Sequence, residues 1–458
     1  MAAAGVTVLA LSSSGLVQTS SSAFAAPARE QARTITGAAS KCASLVGLHL
    51  DAHRFGLPTQ GADIDSATLT AADPTSGRPE FCLVRGKVNS VDAKAPDVNF
   101  EVNLPTSWNQ KSVQFGGGGF NGVLVTGLDA VPGSGNTPTA QARSQPPINR
   151  GYATFGSDGG VAVGADPAGS FALNKEALAN YAGESVKRTR DAAVGVIKRY
   201  YGVQPGKQYY VGGSKGGHEA LVAAQRYGGD YDGIIAYYPA NQNQAMVLSW
   251  YALLQAAYSH PGGYLDLADQ QLVNKAVYST CDKLDGAVDG VISNVQACDR
   301  TFDVESLRCP DAATHSETCL SPTQIETLKT AASPFKFAFP LAHGVTQIGP
   351  YPALRGADVS AWLDPNGDRR YTAYNSLADP VIRYFIEQDP NGSSVNFDYR
   401  QYEKRVKQLS WLYDATDPDI DRFAGHGGKL ILVQGASPRD VDTDFRRQRS
   451  GYRWFSRS

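Results

Sequence analysis

Apolar runs alternate with amphipathic stretches through the first half of the chain. Phe81-Cys-Leu-Val-Arg-Gly-Lys-Val88 and Val98-Asn-Phe-Glu-Val-Asn-Leu104 read as early strands. Lys111-Ser-Val-Gln-Phe115 is the next, running into Gly116-Gly-Gly-Gly119, and Tyr152-Ala-Thr-Phe-Gly156 is another. From Tyr181 to Tyr201, apolar Val186, Ala192, Val194, Val196 and Ile197 sit among basic residues, which predicts a helix. Gln208-Tyr-Tyr-Val211 is β-prone, and Glu219-Ala-Leu-Val-Ala-Ala-Gln-Arg-Tyr227 is built of good helix formers. Tyr231-Asp-Gly-Ile-Ile-Ala-Tyr-Tyr238 is a further strand. This alternation predicts a largely parallel sheet covered by helices.

The pattern changes after Pro239. Residues 240–410 hold four cysteines, an Asp/Gly-rich segment and loops rich in tyrosine and proline, as expected of a lid inserted into the sheet domain. Lys429-Leu-Ile-Leu-Val433 then returns to the sheet. The expected division is 1–25 signal peptide, 26–239 core, 240–410 lid, 411–437 return of the core, and 438–458 an atypical Arg-rich tail. No internal repeat is visible.

Composition narrows the function. A net charge of −2 with 19% charged residues gives no polybasic surface, so no nucleic-acid partner is expected. Gly5-Val-Thr-Val-Leu-Ala-Leu11 is too short to span a bilayer and is followed by Ala23-Phe-Ala25, an export-cleavage pattern. A secreted protein with no membrane partner is expected. No Lys or Arg precedes Arg29, which suggests a start assigned too late. Six cysteines suit disulfides in an exported chain. Spacing leaves about fifteen pairings open; local pairing, Cys42–Cys82, Cys281–Cys298 and Cys309–Cys319, is the expected choice. Zinc is disfavoured because no C-x-x-C pair occurs.

Three motifs carry candidate chemistry. Gly212-Gly-Ser-Lys-Gly216 fits G-x-S-x-G between a strand and a helix, which makes Ser214 a candidate nucleophile rather than a plain turn serine. Gly116–Gly119 matches neither phosphate-loop pattern. It suits an oxyanion hole instead: Gly117, Gly118 or Gly119 could give one N–H, with Gly118 preferred, and Lys215 the second. The segment from Cys281 to Ile292 places Asp282, Asp285 and Asp289 among turn-forming glycines. Such hard oxygen ligands suit Ca²⁺, the alternative being an acidic surface loop.

Together with Phe115–Gly122, Tyr210–Gly217, Tyr231–Ala236, Cys281–Gly290, Ala415-Thr-Asp-Pro-Asp419 and Gly427–Leu432, these motifs resemble the tannase/feruloyl esterase family. The resemblance implies an α/β-hydrolase core with a large inserted lid that carries Ca²⁺ and shapes an aryl pocket. It implies calcium ligands from the side chains of Asp282, Asp285 and Asp289 and the carbonyls of Ala287 and Val291. It implies a serine esterase acting on small aromatic esters, feruloyl, galloyl or related.

Two departures stand out. Gly213 occupies the position where the family has a cysteine bonded to a second one beside the catalytic histidine. The family also places an aspartate shortly after the Lys-Leu-Ile-Leu strand and a histidine some tens of residues later. Here His426 precedes that strand, and Asp440, Asp442 and Asp444 follow it out of frame. Arg439, Arg446, Arg447, Arg449, Arg453 and Arg457 crowd a tail without apolar periodicity. The expectation is that native sequence stops near Ser437 and that the sheet lacks its last strand and helix. A catalytically impaired protein that binds aryl ligands is the rival reading. A peptidase of the same fold has no support beyond the elbow.

Overall fold

The computed structural model describes residues 32–130, 145–161, 168–259, 261–310, 318–357, 373–392, 397–434 and 452–453. The expected signal peptide and nearly all of the Arg-rich tail lie outside them.

A ten-stranded sheet organises the chain. Its strands are β1 (His49–Leu50), β2 (Ala62–Thr70), β3 (Phe81–Val88), β4 (Val98–Pro105), β5 (Lys111–Phe115), β6 (Ala153–Ser157), β7 (Lys207–Gly213), β8 (Gly233–Tyr237), β9 (Lys429–Val433) and β10 (Tyr452–Arg453). They lie in the order β10-β9-β8-β7-β5-β6-β4-β3-β2-β1. The run from β6 through β5, β7 and β8 to β9 is parallel, as expected. β1 to β4 instead form an antiparallel wing, and β4 pairs antiparallel with β6. The link between β3 and β4 is too short for the crossover a parallel pair needs, which fixes that hand of pairing. β2, not anticipated from the sequence, completes the wing. At the other edge Tyr452 and Arg453 pair antiparallel with Val433 and Leu432.

Helices cover both wings. α1 is Ala38–Ala43, α2 Ser185–Tyr201 and α3 Lys215–Arg226. The apolar stripe of α2, Ala192, Val196, Ile197 and Tyr200, packs in one cluster with Phe100, Val102 and Phe155. α3 sets Ala220, Ala223 and Ala224 against Tyr210, Ile234 and Ala236. The next residues along those strands, Val211 and Ile235, face the opposite side with Val113 and Phe115, as a period of two requires. The helix expected from Tyr181 starts regularly only at Ser185. Before it, Asn180–Glu184 forms a wider turn in which Gly183 has φ 130°. A Cβ there would stand 2.6 Å from Val222, so glycine is required both for space and for backbone.

Between adjacent, parallel β8 and β9 the chain makes a long excursion. It holds α4 (Asn243–Tyr258), α5 (Leu267–Cys281), α6 (Val295–Thr301), α7 (Pro322–Ala332) and α8 (Glu403–Tyr413). α8 runs across the boundary expected at residue 410. One apolar cluster joins Phe171 and Tyr181 to Leu248, Phe385 and Leu409 of the excursion. A second, with Val273, Val277, Ile325 and Leu328, lies within it. Among the described residues no helix is long and apolar enough to cross a membrane.

All three local disulfides are present: Cys42–Cys82, Cys281–Cys298 and Cys309–Cys319. The first ties α1 to β3 across a separation of 40 residues. A cross-link of that span removes about 4 kcal/mol of chain entropy from the unfolded state. The double variant Cys42→Ala/Cys82→Ala is therefore expected to lose about 4 kcal/mol, at most, in urea unfolding. An unchanged midpoint would show that the wing does not limit stability.

Candidate active site

Ser214 stands at the junction of β7 and α3 with φ 56° and ψ −116°, a conformation that L-residues rarely adopt. Strain of this kind costs roughly 1–3 kcal/mol and persists only where the surroundings impose it. Here they do. The Ser214 N–H donates to the Tyr237 carbonyl, and its own carbonyl accepts from the N–H groups of His218 and Ala240, each at 3.0 Å. The glycines make the turn possible: a Cβ on Gly212 would lie 2.3 Å from the Gly216 carbonyl oxygen, and one on Gly217 would lie 2.6 Å from that of Tyr237. The serine itself is exposed.

The glycine loop lies against this turn. The Gly216 N–H donates to the Gly117 carbonyl at 2.9 Å, and the Asn121 N–H to that of Gly118 at 2.8 Å. Tyr181 donates its hydroxyl to the Gly119 carbonyl at 3.2 Å. The Gly117 N–H is engaged by Glu219 Oε2 at 3.0 Å, which removes Gly117 from the candidate oxyanion donors. Gly118 and Gly119 are exposed, and their N–H groups have no partner among the described residues. Lys215 is the first residue of α3, where no preceding turn offers an acceptor for its N–H.

Behind the turn the Lys215 side chain points inward. Its ammonium bonds Glu219 Oε1 at 2.8 Å and lies 4.6 Å from the Tyr181 ring centroid. Burial pushes the Lys215 amine below its usual value, against the pull of Glu219. Burial alone would raise the Glu219 carboxyl, but the Lys215 charge and its hydrogen bonds hold it below the usual value. The carboxylate also accepts from Tyr210 Oη at 3.0 Å and from Asn121 Nδ2 at 2.9 Å. Neither Glu219, Asn121 nor Tyr181 was anticipated as a site residue. The i,i+4 spacing of Lys215 and Glu219 was a usable signal for the pair.

The histidines divide by position. His218 is buried, stacks on Tyr413 at 4.3 Å and meets the Tyr413 carbonyl through Nε2 at 2.6 Å. That contact requires a proton on Nε2. Burial first, then Lys215, pushes its pKa well down, and with Nε2 engaged by the Tyr413 carbonyl His218 packs as a neutral ring. His426 bonds the carbonyls of Arg422 and Tyr231, at the opposite end of the strands from Ser214. His49 pairs with Asp63 in the wing, and His53 is exposed there. His343 bonds Thr416 Oγ1 at 3.0 Å and lies 3.7 Å from Asp417. No described histidine bonds Ser214. His260, His315, Asp440, Asp442 and Asp444 lie outside the described residues.

The three aspartates of the lid share one loop closed by Cys281–Cys298. Asp282 accepts the Gly290 N–H at 3.1 Å, Asp285 those of Ala287 and Ser293 at 3.0 and 2.9 Å, and Asp289 that of Val291 at 3.0 Å. Among the described residues no three such ligands gather at one point. The donor chemistry suits calcium, but the loop as folded turns its carboxylates to its own backbone.

The central sheet with Ser214 on a strand–turn–helix is an α/β-hydrolase-type fold. The tannase and feruloyl esterase family matches residues 82–444, and the chain belongs to it. An uncharacterised esterase of Agrobacterium fabrum is 34% identical over 438 residues, covering 90% of this chain and 75% of that one. The mono(2-hydroxyethyl) terephthalate hydrolase of Piscinibacter sakaiensis is 28% identical over 429 residues, covering 81% and 69%. The crystal structure of an esterase from Aspergillus oryzae superposes with a TM-score of 0.67 at 22% identity, covering 87% and 74%.

Asp414 is buried where α8 meets the start of α4. It ends α8 and accepts Ser410 Oγ at 2.6 Å and the Gln244 N–H, at the start of α4, at 3.1 Å. Burial raises its carboxyl from 3.8 to about 7. A raised carboxyl stabilises the fold fully below its unfolded value, and that stability is lost as pH rises through the folded value. The thermal midpoint should therefore fall between about pH 4 and about pH 7, with a smaller fall in Asp414→Asn. Equal slopes in the two proteins would assign the dependence elsewhere.

Proposed function

We propose that this chain is an exported serine esterase that hydrolyses aryl carboxylic esters, feruloyl, galloyl or related, through an acyl-enzyme on Ser214. The observation that carries the reading is the strained, exposed serine beside a loop whose Gly118 N–H, like that of Lys215, has no partner among the described residues. Ser214 Oγ would bond the ester carbon while its proton passes to a base. The carbonyl oxygen, now negative, would be held by the Gly118 and Lys215 N–H groups. The alcohol leaves with a proton, and water then splits the acyl-enzyme into the aryl acid and free serine. Aryl specificity is supported by the family's name and by the terephthalate relative. Export rests on the Ala23-Phe-Ala25 pattern and the three disulfides.

A second reading, an aryl-ligand binder with little turnover, is favoured by one observation: His218 is tied to Tyr413, and no described histidine bonds Ser214. Hydrolysis of methyl ferulate and methyl gallate separates the two. For the esterase, release of the acids is expected to fall at least about a thousandfold in Ser214→Ala. Saturable ferulate binding with no acid released by folded protein supports the binder.

Calcium is proposed at Asp282, Asp285 and Asp289 with the carbonyls of Ala287 and Val291. A carboxylate has about four lone-pair sites, so backbone N–H bonds leave oxygen free for a cation. Calcium at a hundredfold excess over its Kd would add about 2.7 kcal/mol, seen as a raised thermal midpoint that a chelator reverses. The same midpoint with calcium and with chelator removes the proposal, as does an equal rise in Asp285→Asn.

A further inference from the structure

Glu219 is buried at 4% exposure, yet all its hydrogen bonds serve one junction. Oε2 accepts from Gly117 N–H and Tyr210 Oη, and Oε1 from Asn121 Nδ2 and Lys215 Nζ. Gly117 and Asn121 flank the two exposed glycines, and Lys215 is the residue after the serine. One carboxylate thus grips both sides of the place where an ester oxygen would sit. The Lys215 side chain turns inward to reach it, while its N–H, at the first position of α3, has no acceptor in a preceding turn. An acceptor-only carboxylate with a buried counter-charge suits this task, because any neutral replacement brings a donor or loses an acceptor.

We propose that Glu219 is the positioning residue of the oxyanion loop: it holds Gly117 and Asn121 so that Gly118 presents its N–H opposite that of Lys215. The proposal rests on the serine-esterase reading. Substrate does not touch Glu219; the carboxylate acts through the loop.

The test is labelling by ethyl 4-nitrophenyl methylphosphonate, with hydrogen exchange across residues 115–122. Ser214 Oγ bonds phosphorus, 4-nitrophenolate leaves, and the serine proton passes to the buffer. The burst amplitude counts competent sites, and its rate reports how well each stabilises the tetrahedral oxygen. In Glu219→Gln the amplitude should stay that of the parent while the rate falls about 10- to 100-fold, part of the loss for one missing oxyanion donor. Exchange in the loop should quicken. A merely structural role would cut the amplitude and leave the rate per site unchanged, which overturns the proposal. Breaking a buried pair can prevent folding, so Lys215→Met/Glu219→Gln, neutral and of similar volume, is measured beside it. The same fall in rate is expected, and a parental rate in either folded variant overturns the proposal. If neither the parent nor Ser214→Ala is labelled, the esterase reading fails. Loop exchange then decides alone: quicker exchange in the variants supports the clamp, and unchanged exchange overturns it.

Discussion

A Cβ on Gly116 would stand 2.6 Å from the Cα of Gly216, and one on Gly216 would stand 2.8 Å from the Gly117 carbonyl oxygen. The glycine loop and the elbow helix therefore meet backbone to backbone, and no side chain can enter between them. That contact sets the distance between the exposed glycines and the serine. It also leaves the Gly117 N–H against the elbow helix, where a side chain of that helix has to accept it. Glu219 meets that demand, and the demand for a counter-charge places Lys215. The arrangement at the site follows from the absence of two methyl groups.

The buried Lys215–Glu219 pair is a costly way to satisfy one backbone N–H. Removing both charges from water carries a penalty that the mutual attraction repays only with good geometry and further hydrogen bonds. Both conditions are met here: the carboxylate has four donors, and the ammonium sits over an aromatic face. His218 completes the account by staying neutral. With Nε2–H directed at Tyr413, its Nδ1 is left as an acceptor 3.3 Å from Lys215 Nζ. A protonated ring there would place two cations together in the core.

Much of this was legible because it is local. The elbow, the glycine loop and the parallel strands lie in short runs whose residue types admit few alternatives, and the cysteines pair within their own segments. What was not legible depends on partners distant in the chain. β2 has a mixed pattern and becomes a strand only because β3 is there to pair with it. Lys215 and Glu219 look like an exposed i,i+4 pair on a helix, and only the packing of Tyr181 and Tyr413 over them reveals burial. α8 is continuous through residue 410 and keeps its apolar face, Val406 and Leu409, toward the cluster shared with the core, a contact that no local pattern shows.

Gly213 stands where the resemblance leads one to expect a half-cystine, and its surroundings show what takes that space. A Cβ there would meet the Tyr238 hydroxyl at 2.9 Å. Tyr238 itself has a positive φ of 33° and donates its N–H to the Val433 carbonyl at the end of β9. A disulfide at that position would tie the Ser214 turn to another loop by a covalent bond. In this chain the ties run underneath, from Ser214 to Tyr237 through the backbone and from α3 to the glycine loop through Glu219. Such ties fix the position of the serine turn relative to the exposed glycines.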